Sequence, residues 1–450
     1  MITLPVTYYM SAILVAAEFI YCIYNVREIW SVPFLGVVLT IAVWYLAEPL
    51  YTPGGFQSFD SLNIQTAYDS VLLTLISLTV VMPLTLTMMR PRSSRRLSTA
   101  AYVSPERVFH VAALIWLILL AYGTYRMGGD LLGALYPISS RSGGTMWSRD
   151  AGAGSGQDGF IVSAAAYIYV LCLAAFGILY SLAPRRAYKN FALLLMCISW
   201  PWTMLQGSRN LTLAVAIPGL LAYLLFSGTG MIRRGIVFLS SLISLELVLR
   251  LMGYYRNAGF DKAPSHEAVN GKHLGLNMAS ELIYCIQYIS DRTLSVDYGG
   301  RYLAEIANVI PRVIWPSKPL IGIDYAIARG FGGAPNDIGV VATISTGMIG
   351  GGVLNFGVLF GPIVVGILMS LWVGLLTRFH SQGTPLRLTL FLVGLGLTFN
   401  LGRDLTLLVV WPLVFGYASV RLLESSTFAD YLRRRETRKG STIRLWRGPR

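Results

Sequence analysis

The chain has 450 residues, of which 54% are hydrophobic and only 13% are charged, and its mean hydropathy is +0.59. Soluble globular domains carry about 25% charged residues, so this composition excludes a soluble globule and predicts a membrane protein. The net charge of +14 is not that of a nucleic-acid binder, because the basic residues gather in alternate loops between apolar runs. We therefore expect no nucleic-acid partner.

Apolar runs recur along the chain, and most have the roughly 17 to 25 residues that an α-helix needs to cross the hydrocarbon core of a bilayer. We predict an all-α, polytopic membrane helix bundle with about 11 transmembrane helices. The runs lie near 5–25, 30–51, 68–89, 108–127, 159–182, 191–205, 210–226, 235–252, 354–377, 386–401 and 405–422. The glycines at 347 and 350–352 predict a helix-packing surface or a broken, re-entrant helix rather than a phosphate loop.

The loops between these runs differ in length and composition. Basic clusters at 90–96, 185–189, 233–234 and in the tail fall on alternate loops, which places the N-terminus outside and the C-terminus inside. The predicted organisation is helices 1 to 8 in 1–252, with a Gly/Ser-rich outer loop at 128–158, a large outer loop at 253–340, helices 9 to 11 in 341–422, and a basic inner tail at 423–450.

The large outer loop is the most polar part of the chain, with eight Lys/Arg, eight Asp/Glu and two of the four histidines. Its segment 301–310 carries apolar residues at helical spacing, with Glu305 opposite, and predicts a helix that lies along the membrane or packs on the bundle. A similar stripe predicts a helix at 279–290. Prolines 311, 316 and 319 then hold Arg312 and Lys318 on a stiff, non-helical segment.

Several arginines are expected at the outer ends of spans, where a charge is costly unless it is paired or faces water. A ring of guanidinium groups at one level suits a phosphate or pyrophosphate, since arginine donates bidentately and stays charged. The alternatives are contact with lipid phosphate and local ion pairs such as Glu246 with Arg250, or Arg403 with Asp404. The candidate substrate-binding residues are Arg209, Asn210, Arg250, Arg256, Arg312, Lys318 and Arg403.

Titratable side chains of the large outer loop include candidates for a catalytic base. His266, His273 and Glu281 are the residues to which we assign proton transfer from a sugar hydroxyl. The sequence has no Asp-X-Asp, His-X-X-X-His or Glu-X-X-His spacing, so we expect no metal and no other cofactor. Arginine would then supply the electrostatic stabilisation that a metal gives in other transferases.

Three motifs resemble a known family. They are the segment Pro-Arg-Val-Ile-Trp-Pro-Ser-Lys-Pro at 311–319, the Gly-rich stretch 346–352 followed by Asn-Phe-Gly-Val-Leu-Phe-Gly at 355–361, and the Gly-Ser-Arg-Asn turn at 207–210. Together they resemble the bacterial oligosaccharide repeat-unit polymerases, the Wzy-type O-antigen polymerases. Of that family's paired Arg-X10-Gly loop motifs, one spacing occurs here, between Arg141 and Gly152.

The resemblance implies a glycosyltransferase of the bacterial inner membrane that joins undecaprenyl-pyrophosphate-linked oligosaccharides at the periplasmic face and releases undecaprenyl pyrophosphate. It implies membrane lipids and a chain-length regulator protein as further partners. Two alternatives stay open. One is an O-antigen ligase-like transferase that moves a finished glycan, and the other is a flippase or transporter of the lipid-linked oligosaccharide.

Overall fold

The computed structural model describes residues 4–52, 54–89, 104–138, 145–147, 159–206, 209–255, 277–307, 310, 314–315, 317, 322–330, 345–403 and 409–425. Throughout these residues the regular secondary structure is helical and contains no strand. The predicted all-α class is therefore confirmed.

Sixteen helices are numbered here in chain order through the described residues. They are α1 Val6–Tyr24, α2 Ser31–Ile41 with a π-helical extension Ala42–Leu46, α3 Glu48–Tyr51, α4 Ser61–Met89, α5 Pro105–Arg126, α6 Leu131–Leu135, α7 Gly159–Leu182, α8 Arg186–Leu205, α9 Arg209–Phe226, α10 Met231–Tyr255, α11 Met278–Ser290, α12 Gly300–Ala307, α13 Ile323–Ala328, α14 Gly347–Ser381, α15 Pro385–Thr398 with a 3-10 turn Phe399–Gly402, and α16 Trp411–Glu424.

Several of these helices can cross a membrane, which identifies a multi-pass membrane protein. Within the described residues, seven are long and apolar enough: Val6–Tyr24, Ser61–Met89, Pro105–Arg126, Ile161–Leu182, Met231–Met252, Gly347–Ser381 and Pro385–Gly402. Two shorter apolar stretches are Ser31–Leu46 and Asn210–Phe226. The helices predicted at 279–290 and 301–310 also form, as α11 and α12, whereas the count of about 11 spans stays a prediction.

The chain divides into two compact units. Unit 1 comprises Met1–Arg90, Lys272–Ser381 and Leu397–Trp411, and unit 2 comprises Pro91–Gly271, Gln382–Gly396 and Pro412–Arg450. The described part of the large outer loop from residue 277 onward, with α11, α12 and α13, belongs to unit 1. Most of the tail and parts of both long outer loops lie outside the described residues.

Unit 1 is built on a close contact between α4 and α14. Small residues recur every four positions on α14, at Gly366, Ser370 and Gly374, a spacing that lets helix backbones approach. A Cβ on Gly366 would lie 2.6 Å from the Ser77 Cβ, and the Ser370 hydroxyl bonds the Thr85 hydroxyl at 2.9 Å. Larger side chains at these positions would force the two helices apart.

Helix α14 is not a single straight rod. Gly357 has φ 79° and ψ 174°, which interrupts the helix in a backbone region that glycine adopts readily. A Cβ on Gly361 would lie 2.4 Å from the Gly352 carbonyl oxygen, although a straight helix would separate these residues by roughly 13 Å. Residues 347–356 therefore form a half-helix that folds back on the long helix 358–381, which fits the predicted re-entrant helix.

Unit 2 has its own close helix contact, between α7 and α9. A Cβ on Gly219 would lie 3.0 Å from the Gly177 Cα. At the start of α15, Arg387 pairs with Glu424 of α16 at 2.5 Å, and both side chains are buried. This buried pair connects the two C-terminal helices of unit 2.

Candidate functional site

Two helices of unit 1 begin side by side, α11 and the half-helix 347–356. A Cβ on Gly347 would lie 3.2 Å from Met278 Sδ, and one on Gly350 would lie 3.1 Å from Cys285 Sγ. Gly350 follows Gly347 along the half-helix, and Cys285 follows Met278 along α11. The two helices therefore run in the same direction. Their N-termini, where backbone N–H groups carry a partial positive charge, are therefore neighbours.

The π-helical extension of α2 and the start of α3 supply hydrogen-bond partners to both N-termini. The Glu48 carboxylate accepts from the Ala279 and Ser280 N–H groups at 3.0 and 3.1 Å and from the Ser280 hydroxyl at 2.5 Å. The Tyr45 hydroxyl accepts from the Ile349 N–H at 3.1 Å and donates to the Gly402 carbonyl at 3.0 Å. Glu48 and Tyr45 thus satisfy N–H groups that a helix leaves without intrahelical partners.

Arg403 lies at the start of the half-helix. The Ser345 hydroxyl donates to the Arg403 carbonyl oxygen and accepts from the Gly347 N–H at 3.4 Å. The peptide at Arg403 is thereby fixed beside the first turn of the half-helix. Among the predicted substrate-binding arginines that the structure describes, Arg403 is the one whose backbone it connects to this pair of N-termini.

Glu281, a predicted base, lies in the first turn of α11 with a buried carboxylate. It accepts hydrogen bonds from the Tyr325 hydroxyl at 2.5 Å, from Arg329 Nε and Nη2 at 3.3 and 3.2 Å, and from Asn277 Nδ2 at 3.3 Å. Both carboxylate oxygens are occupied in this state. To take a proton from a substrate, Glu281 would first have to release Tyr325 or Arg329, and its role as base stays a prediction.

Arg329 is held on a second side by an aromatic ring, since its Cζ lies 3.6 Å from the ring centroid of Tyr284. Burial lowers the pKa of the Arg329 guanidinium, but the hydrogen bonds and charge of Glu281 outweigh burial, and the net pKa lies above its ordinary value. Arg329 therefore stays positively charged throughout the physiological pH range. The ion pair with Glu281 joins α11 to the end of α13.

A second ion-paired arginine joins α12 to α13. Arg301 donates from Nη1 and Nη2 to the two oxygens of Asp324 at 2.9 and 2.5 Å, and its Nε lies 3.3 Å from Asp297 Oδ2. Burial raises the pKa of the Asp297 carboxyl, and the charge of Arg301 opposes that shift. The three side chains hold α12 against the start of α13.

The remaining predicted site residues belong to unit 2 or lie outside the described residues. Arg250 pairs with Glu246 one turn earlier on α10, at 2.7 Å, so the predicted local ion pair is confirmed. Arg209 is the first residue of α9 and Asn210 the second. These three residues belong to unit 2 and Arg403 to unit 1, so the common level of the arginines stays a prediction. Arg256, His266, His273, Arg312 and Lys318 lie outside the described residues.

Comparison with family models, with curated proteins and with solved structures finds no match. Within the described part of the chain, no group of three or more His, Cys, Asp and Glu side chains is arranged to hold a metal ion. The polar groups that the structure describes in this region are the two neighbouring helix N-termini, Arg403 and the two ion-paired arginines.

Sequence reasoning did not single out Tyr45, Ser345, Tyr325 or Arg329 for this site. Glu48 was recognisable only as a carboxylate in an apolar run. Arg329 is 48 positions from Glu281, and no local spacing relates the two residues. The glycines of the half-helix predict a broken helix. The residues at its start, however, are brought together by the turns that end α2 and α15, which are distant in sequence.

Proposed function

We propose that this protein is an integral-membrane glycosyltransferase that polymerises oligosaccharide repeat units carried on undecaprenyl pyrophosphate. Under this proposal it lies in the bacterial inner membrane with about 11 transmembrane helices, its N-terminus and large loop periplasmic and its basic tail cytoplasmic. The motifs at 207–210, 311–319 and 346–361 support the family assignment. The observation that carries the chemistry is the start of the half-helix beside Arg403.

A broken helix inside a membrane protein offers an anion a site that a continuous helix does not. Its N-terminus presents a partial positive charge within the bundle, and discontinuous helices are used in this way by transporters that bind anionic substrates. The Ser345 hydroxyl holds the backbone carbonyl of Arg403 at this point, and we propose that the Arg403 guanidinium faces the diphosphate. A departing diphosphate would gain from both the helix terminus and the guanidinium as its negative charge grows.

The proposed reaction is a displacement at the sugar carbon that carries the pyrophosphate. The acceptor hydroxyl oxygen forms a bond to this carbon, the carbon–oxygen bond to pyrophosphate breaks, and the electron pair leaves with undecaprenyl pyrophosphate. The hydroxyl proton passes to a base, for which His266, His273 and Glu281 are the candidates. Pyrophosphate is a good leaving group, so cations and a positioned base are sufficient, and no metal or nucleotide cofactor is needed.

The proposal is tested by replacing the candidate arginines singly and measuring glycan chain length in cells. For Arg403→Ala we expect the polymerisation rate to fall by about 100-fold, the usual effect of removing one group that stabilises a developing oxyanion. Arg421→Ala is the matched control, because Arg421 is an exposed arginine in the last turn of α16, on the predicted inner side. Membrane levels of each variant must be equal by immunoblot.

Normal long chains after single replacement of Arg209, Arg250, Arg256, Arg312 and Arg403 would overturn the arginine assignment. A deletion strain then separates the proposed function from its alternatives. Single repeat units accumulating on the outer face of the inner membrane indicate a polymerase. Complete polymer that stays unattached indicates a ligase, and repeat units retained on the inner face indicate a flippase.

A further inference from the structure

Helix α12 carries large aliphatic side chains on one face and charged side chains on the other. The Leu303 and Ile306 side chains are 57% and 55% exposed, and Ile310, just after the helix, is also exposed. At about 100° per residue Leu303 and Ile306 fall within one narrow arc of α12, while Arg301 and Glu305 lie on the opposite side. The apolar face of α12 is therefore turned outward and not into unit 1.

The side of α12 that packs on unit 1 is made of small residues and backbone. Ala304 and Ala307 are buried. The Tyr302 N–H donates to Asn355 Oδ1 at 3.3 Å, and a Cβ on Gly299 would lie 3.4 Å from the Phe356 ring. These contacts fix α12 on the tip of the half-helix and leave the Leu303 and Ile306 side chains more than half exposed.

The exposed aliphatic face continues onto the start of a membrane-crossing helix. Phe356 is followed by the turn at Gly357 and then by Val358, Leu359 and Phe360, all of which are exposed. They begin the helix 358–381, whose 24 residues extend about 36 Å, enough to cross a bilayer. The outward face of α12 thus lies at the end of a helix that is long and apolar enough to cross a bilayer.

We propose that α12 is an interfacial helix whose Leu303 and Ile306 side chains insert into the boundary between lipid headgroups and acyl chains. A short helix with one apolar and one charged face, lying beside the end of a span, fits that position. Its Arg301 is already neutralised by Asp297 and Asp324, so the insertion needs no anionic lipid. The bilayer then holds α12 and, through Arg301, the start of α13.

The inference goes beyond the proposed function because it concerns lipid contact, whichever reaction the protein catalyses. It is tested on the full chain with Cys197 replaced by Ser, since Cys197 is the exposed native cysteine among those described. An environment-sensitive fluorophore is attached at Ile306→Cys. The protein is reconstituted in phosphatidylcholine vesicles that contain a lipid with a nitroxide quencher at the headgroup end of its acyl chain. Asp291→Cys, in the exposed turn after α11, is the matched control.

We expect the lipid quencher to reduce the fluorescence of the Ile306 probe roughly threefold more than that of the Asp291 probe, as an insertion depth of about 5–10 Å requires. Iodide in the water should quench the Asp291 probe more strongly. The result should be the same when one third of the lipid is phosphatidylglycerol. Leu303→Cys repeats the measurement from the same face, so the test stands if one variant fails to fold.

Iodide quenching as strong at Ile306 and Leu303 as at Asp291 would place α12 in water and overturn the inference. Probes protected from both iodide and the lipid quencher would also overturn it, because a second copy or another protein would then cover this face. Quenching that appears only with phosphatidylglycerol would contradict the neutralisation of Arg301.

Discussion

Two carboxylate–arginine pairs of this protein differ in their separation along the chain and in their burial. Glu246 and Arg250 approach to 2.7 Å with 56% and 71% of their side chains exposed, whereas Glu281 and Arg329 approach only to 3.2 Å with 5% and 18% exposed. The shorter pair is the local one, a single turn apart on α10. The longer pair is buried and shares Tyr325 and Tyr284 as additional partners.

The distance between two charged groups is a poor guide to the energy of their ion pair. An exposed pair gains little because solvent competes and two long side chains must be ordered. A buried pair has already lost its hydration, so removing one partner leaves the other charge uncompensated. Glu281 and Arg329 should therefore hold α11 and α13 together, while Arg250 remains accessible for a role in binding.

The largest effect is expected when the buried pair is broken. Arg329→Ala should lower the free energy of unfolding by about 3–5 kcal/mol, because the Glu281 carboxylate would be left buried without its cation. The free energy is measured on the purified full chain by denaturant titration in detergent. The double variant Glu281→Gln with Arg329→Gln should recover part of the loss. A change below about 0.5 kcal/mol, as for an exposed pair, would contradict the importance given to burial.

A smaller effect is expected from Tyr325→Phe, which removes one hydroxyl and preserves the ring. The Tyr325 hydroxyl donates to a charged, buried carboxylate, and hydrogen bonds to charged groups contribute about 1.5–3 kcal/mol. The same denaturant titration measures the loss. Tyr288→Phe is the control, since Tyr288 lies beside the Tyr325 ring on α11. Equal losses for both variants would show that the hydroxyl bond to Glu281 has no particular weight.

A third ion pair, between Arg301 and Asp324, is intermediate in burial. Arg301 is 14% exposed and Asp324 is 51% exposed, so one partner keeps much of its hydration. Asp324→Asn should lower the free energy of unfolding by about 1 kcal/mol, the upper end for exposed pairs. A loss as large as that of Arg329→Ala would mean that bidentate geometry matters more than burial.

The smallest stability effect is expected on α10. Glu246→Gln and Arg250→Ala should each change the free energy of unfolding by no more than about 0.5 kcal/mol. Under the proposed function Arg250→Ala should nevertheless shorten the glycan chains, whereas Glu246→Gln should not. Normal chain length in Arg250→Ala, at a normal membrane level of the protein, would remove Arg250 from the candidate binding residues.

What the sequence predicts correctly is local. Apolar runs and amphipathic stripes predict the long helices and also α11 and α12, because helical periodicity is written in neighbouring residues. The pairing of Glu246 with Arg250 follows from their four-residue spacing. The glycines near 350 predict a broken helix, although they do not say that Gly357 makes the turn or that Gly352 meets Gly361.

What the sequence does not predict depends on contacts between distant segments. Nothing near Glu281 marks Arg329 as its partner, and nothing near Tyr45 indicates that its hydroxyl bonds Ile349, 304 positions away. The sequence likewise does not reveal the surroundings of the Glu281 side chain. From the sequence alone, Glu281 resembles any other carboxylate of the large outer loop. Neither the candidate site nor the ranking of its ion pairs could therefore be predicted without the three-dimensional structure.

The fold-back of residues 347–356 on the helix 358–381 has a consequence for biogenesis. The half-helix leaves the ribosome before the segment against which it packs, and at ten residues it is too short to be inserted as a span of its own. It can reach its final place only after the following helix has entered the bilayer. Truncating the nascent chain within that following helix should therefore leave the half-helix accessible to protease, and extending it through Ser381 should protect it.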